Sequence, residues 1–132
     1  MKPSDQKVIL AIDEGTTNTK AVLVDDAGQL SAEASRPISI AYPQTAWVEQ
    51  DAWEIWQASL AAAAGVLEGV PGGRVAALAL TNQRESVLAW DRASGRPIGP
   101  CITWQSCRRA QWRTVIVQLH PSNDRPGGQS VR

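Results

Sequence analysis

A short apolar run, residues 8–12 (Val-Ile-Leu-Ala-Ile), breaks off at Asp13-Glu14-Gly15-Thr16-Thr17-Asn18-Thr19, and a second run follows at residues 20–24. Two apolar runs this close leave room only for a tight turn, so the spacing predicts a β-hairpin. The turn is unusual in content. An acid stands where the first strand stops, and a glycine and two hydroxyls fill the bend. Gly15 lets backbone come close to a ligand. Successive N–H groups in such a turn can form an anion-binding concavity, with the Thr16 and Thr17 hydroxyls as further donors. Asp13 can hold a hydrated Mg²⁺, which keeps several waters and takes few protein carboxylates. The same residues would also suit an ordinary hairpin whose polar side chains face water.

Downstream segments extend the pattern. Tyr42-Pro43-Gln44-Thr45-Ala46-Trp47-Val48-Glu49-Gln50-Asp51 leads into Trp53-Glu54-Ile55-Trp56; then come Thr81-Asn82-Gln83-Arg84-Glu85 and Ile102-Thr103-Trp104-Gln105. In this order and spacing, residues 7–110 resemble the N-terminal part of an FGGY-family carbohydrate kinase, nearest to the glycerol-phosphorylating members. The resemblance implies a ribonuclease-H-like α/β fold of the actin-like ATPase superfamily. It also implies ATP and Mg²⁺ as cofactors and a small polyol or sugar as substrate, glycerol first. It puts Asp13 near the metal, and Gly15, Thr16, Thr17 and Lys20 near the β/γ-phosphates. Arg84, Glu85 and Trp104 become the polyol contacts. It places the family's catalytic Asp beyond residue 132, so no residue of this sequence is assigned that role. Glu14 departs from the Gln usual in the glycerol-phosphorylating members, and Asn18-Thr19 replaces a Ser pair.

The polyol contacts make chemical sense. Hydroxyls both donate and accept; a guanidinium supplies donors and a carboxylate supplies acceptors. Neighbours in a regular strand point to opposite faces. Arg84 and Glu85 can share a cleft only if the strand has ended or is bulged before them. A surface ion pair for the two, and core packing for Trp104, are the plainer alternatives.

Composition narrows the class. Thirteen Lys and Arg balance thirteen Asp and Glu. A neutral chain lacks the basic footprint of a nucleic-acid binder, so no nucleic-acid partner is expected. No apolar run approaches a membrane span, and residues 1–7 lack a secretory apolar stretch. A cytoplasmic location is expected. Cys101 and Cys107 have neither metal-ligand nor Cys-x-x-Cys spacing and read as free thiols in a reducing compartment. His120, the single histidine, reads as a solvated tail residue. The sequence is silent on oligomeric state.

The remaining expectations are local. Residues 30–35 alternate as a half-exposed third strand, and 37–50 read as irregular. Asp51 opens a helix over about 51–68, with Glu54 completing a capping box. Trp53, Trp56, Leu60, Ala63, Ala64 and Leu67 form its core-facing stripe. Residues 75–80 read as a central strand because the run is almost continuously apolar. Residues 86–90 and 98–104 form a hairpin around Gly95. Residues 1–6 are expected to be disordered, and 111–132 to be a divergent, disordered tail. The alternative to a kinase is a non-catalytic binding module that keeps part of the phosphate and polyol site.

Overall fold

The computed structural model describes residues 6–107. The expectations for residues 1–5, for the tail and for His120 lie outside them. The chain runs β1 (Val8–Glu14), β2 (Asn18–Asp25), β3 (Leu30–Pro37), β4 (Glu49–Gln50), α1 (Ala52–Leu67), β5 (Val75–Asn82) and β6 (Cys101–Ile102). The first three strands and β5 form a mixed sheet in the order β3-β2-β1-β5; β4 and β6 form a small second sheet. This is the expected mixed α/β architecture.

β1 and β2 pair antiparallel from Val8↔Asp25 to Glu14↔Thr19. Alternation sorts their side chains. Val8, Leu10, Ile12, Ala21 and Leu23 turn toward α1 and meet Ala62 and Val66 in one core cluster. Ile9 and Asp13 turn the other way and are exposed. The β2–β3 turn is pinned by Asp25, whose Oδ1 accepts from the N–H groups of Ala27 (3.0 Å) and Gln29 (2.8 Å). Gly28 there takes φ 78°, a value that costs glycine nothing.

Asp51 caps α1 as expected, accepting from the N–H of Trp53 at 2.7 Å and Glu54 at 3.3 Å. The other half of the capping box is absent. The Glu54 carboxylate instead accepts from the N–H and hydroxyl of Ser39, at 2.9 and 2.8 Å, and so ties the loop before the helix to its first turn. The expected core-facing stripe holds in part: Ala63 and Leu67 are partly buried against the core cluster. The buried positions are Ala52, Ala58, Ser59, Ala62 and Val66, whereas Trp53, Trp56 and Leu60 are half exposed. Small residues let helix and sheet approach closely. The large rings lie on flanks the sheet does not reach.

β5 pairs parallel with β1, from Val8↔Val75 to Glu14↔Asn82. The expected central position is corrected: among the described residues β5 is the edge strand. α1 packs on β2 and β3 and more lightly on β1, which leaves Leu78 and Leu80 exposed. The expected hairpin over 86–104 is present only in outline. Val87↔Ile102 and Trp90↔Pro97 are isolated bridges, and regular pairing is confined to β6. Pro97 and Pro100 have no N–H to give and so interrupt the ladder. Gly95 at its tip has φ 69°, as the turn requires. The 37–50 stretch is less irregular than expected, because Glu49 and Gln50 pair with Ile102 and Cys101.

Candidate active site

A cavity of about 540 Å³ opens where the β1–β2 turn meets the end of β5. One wall is Asp13, Gly15 and Thr16. The other is Asn82, Gln83, Arg84 and Glu85, together with Trp104. Residues far apart in sequence thus converge at the carboxyl ends of the parallel strands β1 and β5, the usual location of ligands in α/β sheets.

The first wall is backbone-built. The Gly15 N–H donates to the Asn18 carbonyl at 3.0 Å. A Cβ at Gly15 would stand 2.9 Å from that same oxygen, so only glycine fits the turn. Asp13, the last residue of β1 but one, points to the sheet face away from α1, beside its register partners Lys20 and Thr81. Lys20 does not line the main cavity. It lies with Asp13 and Thr81 on an adjoining hollow of about 150 Å³, and its Nζ is 3.1 Å from the Glu33 carboxylate. Thr17 is also off the cavity; its carbonyl accepts from the Ile38 N–H at 2.9 Å. Glu14 does not line the cavity either. Its carboxylate turns toward α1 and accepts from the Ser59 hydroxyl at 2.8 Å.

The second wall resolves the strand question. β5 ends at Asn82, and Arg84 and Glu85 occupy a turn. Glu85 has φ 62°, a left-handed value that is uncommon outside glycine and costs on the order of 1–3 kcal/mol. The turn frees both neighbours from strand alternation and brings both to one cavity. Trp104 is 48% exposed, so it is not a core residue. Its indole N–H donates to the Thr16 hydroxyl at 3.0 Å, and its backbone N–H to the Ser86 hydroxyl at 3.2 Å.

On β6, Cys101 is 5% exposed. Burial, and then the negative charge of Glu14, push its thiol up to about 11. Cys107 is exposed, and both cysteines are free.

A model of the N-terminal domain of the FGGY family of carbohydrate kinases matches residues 8–125. The chain belongs to the FGGY family. Among its curated relatives, the apulose kinase of Pectobacterium atrosepticum is 48% identical over 104 residues, 79% of this chain and 21% of that protein. The glycerol kinase of Acinetobacter baylyi is 40% identical over 112 residues, 83% of this chain and 23% of that protein. Solved FGGY structures share the fold. The Plasmodium falciparum glycerol kinase with ADP superposes with a TM-score of 0.70 at 25% identity, covering 90% of this chain and 24% of that one. The Lactobacillus acidophilus gluconate kinase gives a TM-score of 0.71 at 24% identity, covering 86% and 23%. The chain therefore spans about a quarter or less of the length of each of these relatives.

The FGGY residues present suit a metal that arrives with phosphate. Among the described residues no group of three or more His, Cys, Asp or Glu could cage an ion. Of the two exposed carboxylates that line the cavity, Asp13 and Glu85, Asp13 is the one on the glycine-turn wall. Mg²⁺ in phosphoryl-transfer sites needs little more, because phosphate oxygens and waters complete its shell. No helix of the described residues is long and apolar enough to cross a membrane.

Sequence reasoning missed Gln50, Gln83 and Asn82. Gln83 was on view inside the Thr81–Glu85 segment. Gln50 had a weaker signal: a polar residue directly before a helix cap, with no solvent-facing pattern around it.

Proposed function

We propose that this chain carries the phosphate turn and the polyol-binding wall of an ATP-dependent kinase that phosphorylates a small polyol or sugar, with glycerol as first candidate. The observation that carries the reading is the shared cavity: Asp13, Gly15 and Thr16 face Arg84, Glu85 and Trp104 across it. Glycerol kinases among the relatives support glycerol; the apulose kinase is the reason to keep sugars open.

Asp13 would hold Mg²⁺ through water, and Gly15 would let the phosphates approach the turn. The metal would supply charge neutralisation on the transferring phosphoryl group, where electrostatic stabilisation dominates catalysis. Arg84 and Glu85 would read adjacent hydroxyls as donor and acceptor, and Trp104 would lie along the carbon edge. Lys20 would serve the phosphates after leaving Glu33, which costs little because exposed ion pairs contribute only about 0–1 kcal/mol.

A second reading is a binding module without turnover. What favours it is that two expected phosphate donors are engaged elsewhere: Lys20 with Glu33, and the Thr16 hydroxyl with Gln83. Calorimetric titration of the 132-residue chain separates the parts. Glycerol, xylulose and gluconate are compared, and MgATP is titrated in parallel. Arg84→Ala should weaken the polyol alone, and Asp13→Ala should weaken MgATP alone. Polyol binding that survives Arg84→Ala and Glu85→Ala together would remove the assignment. A cytoplasmic, small-molecule role without nucleic-acid or membrane partners completes the proposal.

A further inference from the structure

Four side-chain hydrogen bonds tie the two walls of the cavity together, and their direction is fixed by chemistry. The Thr16 carbonyl can only accept, and it takes the Gln50 Nε2 at 2.7 Å. The Gln50 Oε1 must then face Gln83, and it accepts from the Gln83 Nε2 at 2.7 Å. That leaves the Gln83 Oε1 to accept the Thr16 hydroxyl proton at 3.2 Å. The Thr16 hydroxyl oxygen in turn accepts from the Trp104 indole N–H, which can only donate, at 3.0 Å. An acceptor-only group at one end and a donor-only group at the other leave no alternative arrangement. Gln50 is 1% exposed, so each of its polar atoms depends on these partners.

The members come from both sheets. Thr16 belongs to the β1–β2 turn, and Gln83 follows β5, where its N–H also donates to the Glu14 carbonyl at 2.7 Å. Gln50 lies on β4, and Trp104 follows β6. No backbone ladder joins these sheets at the cavity; this relay does.

We propose that Gln50 and Gln83 are positioning residues that act through the Thr16 hydroxyl to set the Trp104 ring against the cavity. The Thr16 hydroxyl thereby serves the polyol wall and is not a free phosphate donor. Gln50 reaches Trp104 only through two intermediaries, and its amide is what holds both. The effect on polyol binding rests on the kinase reading above; the effect on the ring does not.

The test separates the two. In ¹⁵N-labelled full chain, the Trp104 indole N–H resonance is identified by its loss in Trp104→Phe. Gln50→Leu and Thr16→Val should each shift that resonance toward the free-indole position and speed its solvent exchange. Thr16→Ser keeps the hydroxyl and should restore the wild-type resonance. Binding of glycerol and xylulose should weaken about fivefold in Gln50→Leu and Thr16→Val, the effect of one neutral hydrogen bond, and recover in Thr16→Ser. A folded Gln50→Leu with an unmoved resonance overturns the proposal. So does Thr16→Val with an unmoved resonance, which decides the matter if Gln50→Leu does not fold. So does Thr16→Ser that behaves like Thr16→Val. A wild-type chain that binds neither polyol defeats the substrate reading, and the resonance then decides the relay by itself.

Discussion

The two walls of the cavity are built by different means. The Asp13–Thr16 wall is the end of a continuous ladder, with β1 paired on both edges from Val8 to Glu14. The wall of Gln83 to Glu85 and Trp104 has almost no ladder. It hangs on a left-handed Glu85, on isolated bridges and on side-chain hydrogen bonds. A ladder distributes its stability over many bonds and tolerates most side chains. A wall held by side chains concentrates its sensitivity in a few of them. Side-chain truncations in the second wall should therefore act on binding, whereas in the first wall a substitution that crowds the backbone, as at Gly15, should act on folding.

The largest effects on binding should come from the second wall. On the proposed assignment, Arg84→Ala and Glu85→Ala would each remove a charged hydrogen bond to a polyol hydroxyl, worth about 1.5–3 kcal/mol. Glycerol affinity measured by calorimetry should fall roughly ten- to hundredfold. Thermal stability should hardly drop in Arg84→Ala, and Glu85→Gly should be more stable than Glu85→Ala, because glycine takes φ 62° freely. A large loss of stability in Arg84→Ala would break the distinction, since it would make that side chain a structural support.

In the first wall, Gly15→Ala should destabilise by about 1–3 kcal/mol, as overpacking does, because its Cβ meets a backbone oxygen at 2.9 Å. Gly72→Ala is the control. Nothing lies within 4 Å of a Cβ there, and surface changes of this kind stay within about 0.5 kcal/mol. Urea unfolding of both variants measures the contrast. Equal stability would mean that the turn yields, and the claim of a rigid backbone-built wall would fall.

These differences track what could be read from the sequence. The ladder half was legible: apolar runs, the Asp25–Gly28 turn and the Asp51 cap each have a local chemical cause. The helix stripe was legible at Ala63 and Leu67, which pack against the core, but not at Trp53, Trp56 and Leu60, because helical spacing does not say which flank the sheet reaches. Close helix–sheet approach selected Ala58, Ala62 and Val66 instead. The central position of β5 was misread because an apolar run reports composition and not which neighbours it has. Among the site residues, Asp13, Gly15, Thr16, Arg84, Glu85 and Trp104 line one cavity, while Thr17 and Lys20 lie off it. Lys20 is set aside by Glu33 on β3, a cross-strand partner invisible without register. The relay through Gln50 was out of reach, since nothing local in a sequence joins β4 to the turn after β5.

The small second sheet gives a smaller effect with a definite sign. Cys101 keeps its proton in the folded chain up to about 11, against an ordinary value of 9.0. Below pH 9 the thiol is protonated in both states and adds no slope. Between 9 and about 11 the unfolded chain loses the proton and the folded chain keeps it, so stability falls as pH rises. The fall is at most about 1.4 kcal/mol per pH unit. Unfolding midpoints of wild type and Cys101→Ala across pH 8–11 should show a shallower decline in the variant. At pH 8, iodoacetamide should modify exposed Cys107 and spare Cys101 in the native chain. Equal labelling of both would mean that the small second sheet opens readily.

The smallest effect should come where the ladder half meets open surface. Ile12 and Leu80 are register partners on adjacent strands, and parallel partners share a face. Ile12 is 8% exposed under α1, whereas Leu80 is 69% exposed on the edge strand. Identical chemistry on one sheet face thus has two values, set only by how far the helix reaches. Ile12→Ala should cost about 2–5 kcal/mol, as buried truncations do. Leu80→Thr should cost no more than about 0.5 kcal/mol, since little apolar contact is lost and threonine suits a strand. An exposed apolar edge also invites pairing between chains. Leu80→Lys should then lower self-association in sedimentation velocity without lowering the unfolding midpoint. A Leu80→Thr loss as large as that of Ile12→Ala would show that β5 is covered in solution, and would place it inside the ladder half's core after all.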